Sequence, residues 1–202
     1  QTAAVEVTVD LSGLAGRPHA MAIDPAGDIW LVLRDPAMLV RVDAASAGNT
    51  EPTIDTWFPP AGGSFYDLAV GPDGAVWVSG GESSRVFVFD PAAQTFDEIP
   101  TGALGYPRGI AVGANAQVFV AHDTWTDTCS ADTRRRVSRI DGPSRTLTGD
   151  VDLGAARGPV TVSVDFSGHV WTVNRCASTV SRIDAMTLQV VDQLATGIGP
   201  DA

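Results

Sequence analysis

The stretch GPVTVSVDFSGHVWTVNR, residues 158–175, decides the fold, because its pattern occurs at three other places in the chain. RPHAMAIDPAGDIWLVLR from Arg17, SFYDLAVGPDGAVWVSGG from Ser64 and YPRGIAVGANAQVFVAHD from Tyr106 fall into register with it. The register is set by Trp30, Trp77, Phe119 and Trp171, whose spacings are 47, 42 and 52 residues. Such a period suits the blades of a β-propeller and is too long for leucine-rich or ankyrin repeats.

Each unit opens on a short apolar strand: Met21–Ile23, Leu68–Val70, Ile110–Val112 or Val162–Val164. A tight turn follows, and Asp24-Pro25-Ala26-Gly27, Gly71-Pro72-Asp73-Gly74 and Asp165-Phe166-Ser167-Gly168 supply its chemistry, with glycine free to take positive φ. Next come a strand centred on the aromatic residue and a third that alternates, as in Val86-Phe87-Val88-Phe89 and Val180-Ser181-Arg182-Ile183. Weaker apolar runs at 54–58, 96–99, 149–153 and 190–194 supply a fourth. Four antiparallel strands per unit predict an all-β protein, a β-propeller with four complete blades.

The expected organisation is one propeller domain over 1–202, with blades at 17–63, 64–105, 106–157 and 158–198. Residues 1–16, through Val5–Leu11, match the outer strand of a preceding blade, and 199–202 open a fifth repeat. Two arrangements follow: a small closed ring, or an open segment completed by further sequence or by the edges of another copy.

A chain with 44% hydrophobic and 18% charged residues has material for a packed core. No apolar run approaches the length of a membrane span. The formal charge is −11 and all 13 basic residues are arginine, so Arg134-Arg135-Arg136 stands alone in an acidic field, which argues against a nucleic-acid partner. The composition resembles that of a GC-rich bacterial genome, and Gln1 begins the sequence without a signal peptide, either absent or already removed.

The unit Pro-x-x-Ile-Ala-Val-Asp-x-x-Gly-x-Val-Trp-x-Val, followed by Val-Ser-Arg-Ile-Asp, resembles the virginiamycin B lyase-like (streptogramin lyase) propellers and, more distantly, NHL-repeat propellers. The resemblance implies a ring in which histidine and glutamate, with a magnesium ion on one face, open a cyclic depsipeptide at its ester bond by elimination. Those lyases carry seven blades, and this chain carries repeats for four.

In a four-stranded blade, the loop entering the first strand and the loop leaving the second lie on one face of the ring. Arg17, His19, Arg34, Asp35, Tyr106, Arg108, His122, Asp123, Asn174 and Arg175 are therefore expected together near the axis, as a ligand or partner face. His169, beside a turn glycine, belongs to the opposite face. His19 and His122 are the candidate acid or base of a lyase-like site, because imidazole titrates near neutrality. Glu82 is the carboxylate on the same face. The competing reading gives both histidines ordinary hydrogen bonds to neighbouring backbone.

The third unit carries an insertion, HDTWTDTCSADTRRR, after its second strand, and long loops in compact repeats concentrate function. Trp125 could stack on a ligand or tuck under the loop. Asp123, Asp127 and Asp132 lack the spacing of a calcium loop, so no metal site is expected. Cys129 in this insertion and Cys176 in the equivalent loop of the next unit are expected side by side, as a disulfide or as two free thiols. A disulfide would place the protein in an oxidising compartment: secreted, cell-surface or periplasmic. The poor catalytic inventory points to a non-catalytic scaffold or binding and assembly module. Its partners would be a protein or a second copy, and it would need no cofactor. The alternative is a magnesium-dependent lyase.

Overall fold

A computed structural model of the chain describes residues 8–123, 129, 135–154 and 158–197. They form sixteen strands in four antiparallel sheets. The first sheet holds β1 (Arg17–Ile23), β2 (Ile29–Arg34), β3 (Met38–Val42) and β4 (Ile54–Trp57). The second holds β5 (Asp67–Val70), β6 (Val76–Ser79), β7 (Arg85–Asp90) and β8 (Thr95–Pro100). The third holds β9 (Tyr106–Val112), β10 (Gln117–Asp123), β11 (Arg136–Asp141) and β12 (Thr146–Asp152). The fourth holds β13 (Pro159–Val164), β14 (His169–Asn174), β15 (Thr179–Asp184) and β16 (Val190–Ala195). Every strand pairs with its sequence neighbour, so each sheet is a four-stranded meander, the blade of a propeller.

The sheets stack face to face through the alternate positions of their strands. Trp30, Val32 and Leu39 of the first pack into Leu68, Val76 and Phe89 of the second. Trp77, Val86 and Val88 meet Ile110, Val118 and Ile140 of the third. Phe119 and Val137 then meet Val170 and Ile183 of the fourth. The innermost strands accordingly lie side by side in the order β1, β5, β9, β13. Gly109 is needed at one of these approaches, because a Cβ there would stand 2.5 Å from the Cα of Thr161 on β13.

β13 does not pack back onto β1, so the four blades form an open arc, the second of the two arrangements the repeats allow. Of the stretch expected as a preceding outer strand, 5–7 lie outside the described residues, and Thr8–Leu11 are in no strand. Leu14 instead packs against Leu33, Met38 and Val40 on the outward flank of the first blade.

Candidate functional site

The axial pocket, of about 360 Å³, is built from two adjacent repeat positions that recur in the four blades. In the register of the four segments, His19, Tyr66, Arg108 and Val160 are equivalent, as are Ala20, Asp67, Gly109 and Thr161. All of these except Gly109 line the pocket, together with Arg175. The local cause is a β-bulge. Pairing slips between Pro18 and Ala20 on β1, between Pro107 and Ile110 on β9, and between Pro159 and Thr161 on β13. The extra residue in the strand is His19, Arg108 or Val160, and a bulge re-aims its side chain out of the alternation of the sheet.

Tyr66 is the centre of the pocket. The guanidinium carbons of Arg34 and Arg108 lie 5.2 and 5.0 Å from its ring centroid, and the His19 ring is 4.5 Å away, centroid to centroid. Cations over a tyrosine face are attracted by its quadrupole, which helps two arginines tolerate each other here. Carboxylates anchor them from behind. Arg108 and Arg175 donate to the same oxygen of Asp123, at 2.9 and 3.1 Å, and the Asp123 side chain is fully buried. Arg34 lies 3.9 Å from Glu82, which sits on the one-turn 3₁₀ helix Gly81–Ser83. Arg17 pairs with Asp35 at the exposed rim.

These charges set the protonation of the pocket. Burial holds the imidazole of His19 below its ordinary value, and the positive charges of Arg34, Arg108 and Arg17 push the same way, so His19 is neutral at pH 7. Asp67 moves oppositely: burial raises its carboxyl, although backbone N–H groups of Ile110 and Leu68 hydrogen-bond it.

His122 and Asn174, expected on the ligand face, are inside the blades. β10 and β14 run to Asp123 and Asn174, pairing regularly with β11 and β15, and both His122 and Asn174 are buried in the sheet stack. The Nε2 of His122 lies 2.7 Å from Ser138 Oγ, and burial lowers its pKa to about 4. Asn174 donates to Thr179 and Ser181 hydroxyls at 3.0 and 2.7 Å. Tyr106 stands half-buried at the start of β9, paired with Asp123. His169 sits at the opposite end of its strand from Asn174, beside Asp165. Trp125, Asp127, Asp132 and Arg134 lie outside the described residues. Cys129 and Cys176 form a disulfide, with Cα atoms 5.3 Å apart, joining the long insertion to the one-turn helix Arg175–Ala177 beside the pocket.

No protein-family model and no curated protein matches the chain. Solved structures match over nearly all of it. A catalytically inactive virginiamycin B lyase from Staphylococcus aureus with quinupristin superposes with a TM-score of 0.77 at 14% identity, over 94% of this chain and 59% of that one. A streptogramin B lyase gives 0.74 at 16% identity over 90% and 55%. Hydrazine synthase from Kuenenia stuttgartiensis gives 0.74 at 20% identity over 96% and 52%. The fold is a β-propeller. The chain spans just over half the length of these three structures, and at such identities the likeness concerns fold alone.

The magnesium chemistry implied by the lyase resemblance does not fit the residues present. A divalent cation needs converging oxygen or imidazole donors. His19 faces three guanidinium groups, Glu82 is beside Arg34, and His122 is sealed in the third blade. Among the described residues, no three histidine, cysteine, aspartate or glutamate side chains come together to hold a metal ion.

Tyr66 and Asp67 are the site residues that the reading of loops by face overlooked. They stand in the same column as His19 and Arg108 once SFYDLAV is written under RPHAMAI and YPRGIAV. Column-by-column comparison of the repeats was the signal that would have found them.

Proposed function

We propose that this chain is a non-catalytic propeller scaffold whose axial face is a binding surface, working in an oxidising compartment outside the cytoplasm. The observation that carries this reading is the cluster around Tyr66. Two guanidinium groups and an imidazole are packed on one phenol ring, and the Arg108 guanidinium is held by the buried Asp123 carboxylate, an arrangement suited to recognition by stacking and charge-assisted hydrogen bonds. An acid–base pair whose environments push its pKa values apart would support catalysis, whereas the two shifted groups of the lining, His19 and Asp67, are moved toward each other. The Cys129–Cys176 disulfide supports export, since such bonds persist mainly in oxidising compartments. Among the described residues, no helix is long and apolar enough to cross a membrane.

The lyase alternative has one observation in its favour, His19 on the axial face of a lyase-like propeller. Quinupristin incubated with the 202-residue chain and magnesium, and followed by mass spectrometry, separates the readings. The binding-module reading expects the depsipeptide ring to stay intact. Ring opening that disappears in His19→Ala would overturn it.

A further inference from the structure

We propose that the axial pocket takes a small organic acid and recognises it by its carboxylate, with the guanidinium fork of Arg108 as the recognition group and Arg175 as the second cation. The inference rests on the binding-module reading and names the ligand class of that same face.

Arg108 is held at its main chain and at its guanidinium. Its carbonyl accepts from Ser79 Oγ of the second blade. Its Nη1 donates to Oδ2 of the fully buried Asp123 at 2.9 Å, while the same group lies over the Tyr66 ring. The side chain is only 12% exposed. Among the described residues nothing else takes Nε or Nη2, and neither nitrogen is sealed from solvent. An arginine fixed in this way gave up its rotamer freedom on folding, so a ligand meets donors already oriented.

Arg175 comes from the neighbouring blade to the same carboxylate oxygen, at 3.1 Å. Its main chain is pinned twice. The N–H donates to the carbonyl of Gly158 at 3.1 Å, and the next residue, Cys176, is bonded to Cys129. The two guanidinium groups therefore already share one carboxylate behind the pocket, that of Asp123, and both also line the pocket itself.

The rest of the lining selects a carboxylate over other anions. A planar fork matches the two oxygens of a carboxylate, which it can bind with two parallel N–H donors. Asp67 places a carboxyl in the same lining, so a doubly charged phosphate would meet a like charge there. Ala20, Val160 and the Tyr66 ring add apolar surface beside the Thr161 hydroxyl, which suits an organic body. A volume of about 360 Å³ sits at the lower end of the range for small-molecule sites.

The test titrates the full 202-residue chain with benzoate and hexanoate, two acids of different shape, and with their uncharged amides. Binding is read by NMR from the arginine side-chain Nε–H signals. The acids should shift the Arg108 signal saturably and bind at least about tenfold more tightly than the amides, since the charged hydrogen bonds are the difference. Phenylphosphonate, doubly charged at pH 8, should bind more weakly than benzoate. Arg108→Gln should abolish the response, and Arg108→Lys, which keeps the charge without the fork, should weaken it. Arg145→Gln, at an exposed ion pair with Asp97, should leave it unchanged. Circular dichroism reports the fold of each variant; should Arg108→Gln not fold, the wild-type shift and Arg108→Lys decide. No saturable shift at Arg108 with either acid, or phenylphosphonate binding more tightly than benzoate, would overturn the proposal. Acids and amides binding equally at this face would also overturn it and leave the binding-module reading standing. That reading fails by a different result, the opening of the quinupristin ring.

Discussion

His122 shows what a single side chain does when a strand runs two residues further than expected. The loop reading placed it with His19 at the ligand face, whereas regular pairing with Arg136 turns it into the blade, where its ring is fully buried against Ser138. The sequence offers no cue for this, because the end of a strand is set by where pairing stops. Burial depresses its pKa from 6.5 to about 4, so the unfolded chain takes a proton before the folded chain does. Above pH 6.5 both states are neutral and the residue adds no pH dependence. Stability then falls as pH drops from 6.5 to about 4, by roughly 3 kcal/mol at 1.36 kcal/mol per unit. His19, also lowered, acts in the same direction, and Asp67, raised by burial, acts in the opposite one nearer the acid end. Urea denaturation of wild type and His122→Gln at pH 7 and pH 4.5 should therefore show a large acid loss in the first and a much shallower one in the second. Equal losses would mean that His122 does not titrate on unfolding.

At the level of the strand pair, the turns were legible as turns, but a further role of their aspartates was not. In the first blade, Asp24 accepts from the backbone N–H groups of Ala26 and Asp28 with one oxygen, and with the other from the indole N–H of Trp30 at 3.0 Å. Asp165 does the same for Ser167, His169 and Trp171 in the fourth. Each aspartate thus closes its hairpin and satisfies the indole N–H of its own blade's tryptophan, Trp30 packed between the first two blades and Trp171 half-buried on the flank of the fourth. The indole N–H, followed by the backbone donors, holds Asp165 down to about 2. The second and third blades have Gly71 and Gly113 at that position and lack the clasp, which is why a shared turn motif could not announce it. Asp24→Ala leaves the nearly buried Trp30 N–H without an acceptor and should cost roughly 2 kcal/mol. Asp24→Asn should not restore it, because an amide that caps the turn with its oxygen points a second donor at the indole. Asp165→Ala should cost less, since half-buried Trp171 can turn to water. Chemical denaturation followed by tryptophan fluorescence ranks the three.

For the molecule as a whole, the repeats made the blades legible and left the closure of the ring open. The apolar positions that join one blade to the next are identical in kind whether four blades meet end to end or stop as an arc, because closure depends on the angle between neighbours. The disulfide was legible in part: equivalent loops of adjacent blades bring Cys129 and Cys176 within reach, yet two free thiols fit the same spacing. An open arc makes a prediction that a closed four-blade ring does not. Leu68 and Met21 occupy the same repeat position, one 4% exposed between blades and the other 60% exposed on the terminal flank. Truncating a buried leucine removes its transfer energy and leaves a cavity, so Leu68→Ala should cost about 2 to 5 kcal/mol. Met21→Ala, at concentrations where light scattering shows a single copy, should stay within about 0.5 kcal/mol of wild type, as exposed positions do. If Met21→Ala costs as much as Leu68→Ala in that dilute monomer, the first and fourth blades must meet within one chain. If only the former is neutral, its apolar flank is free to be buried by something outside the arc.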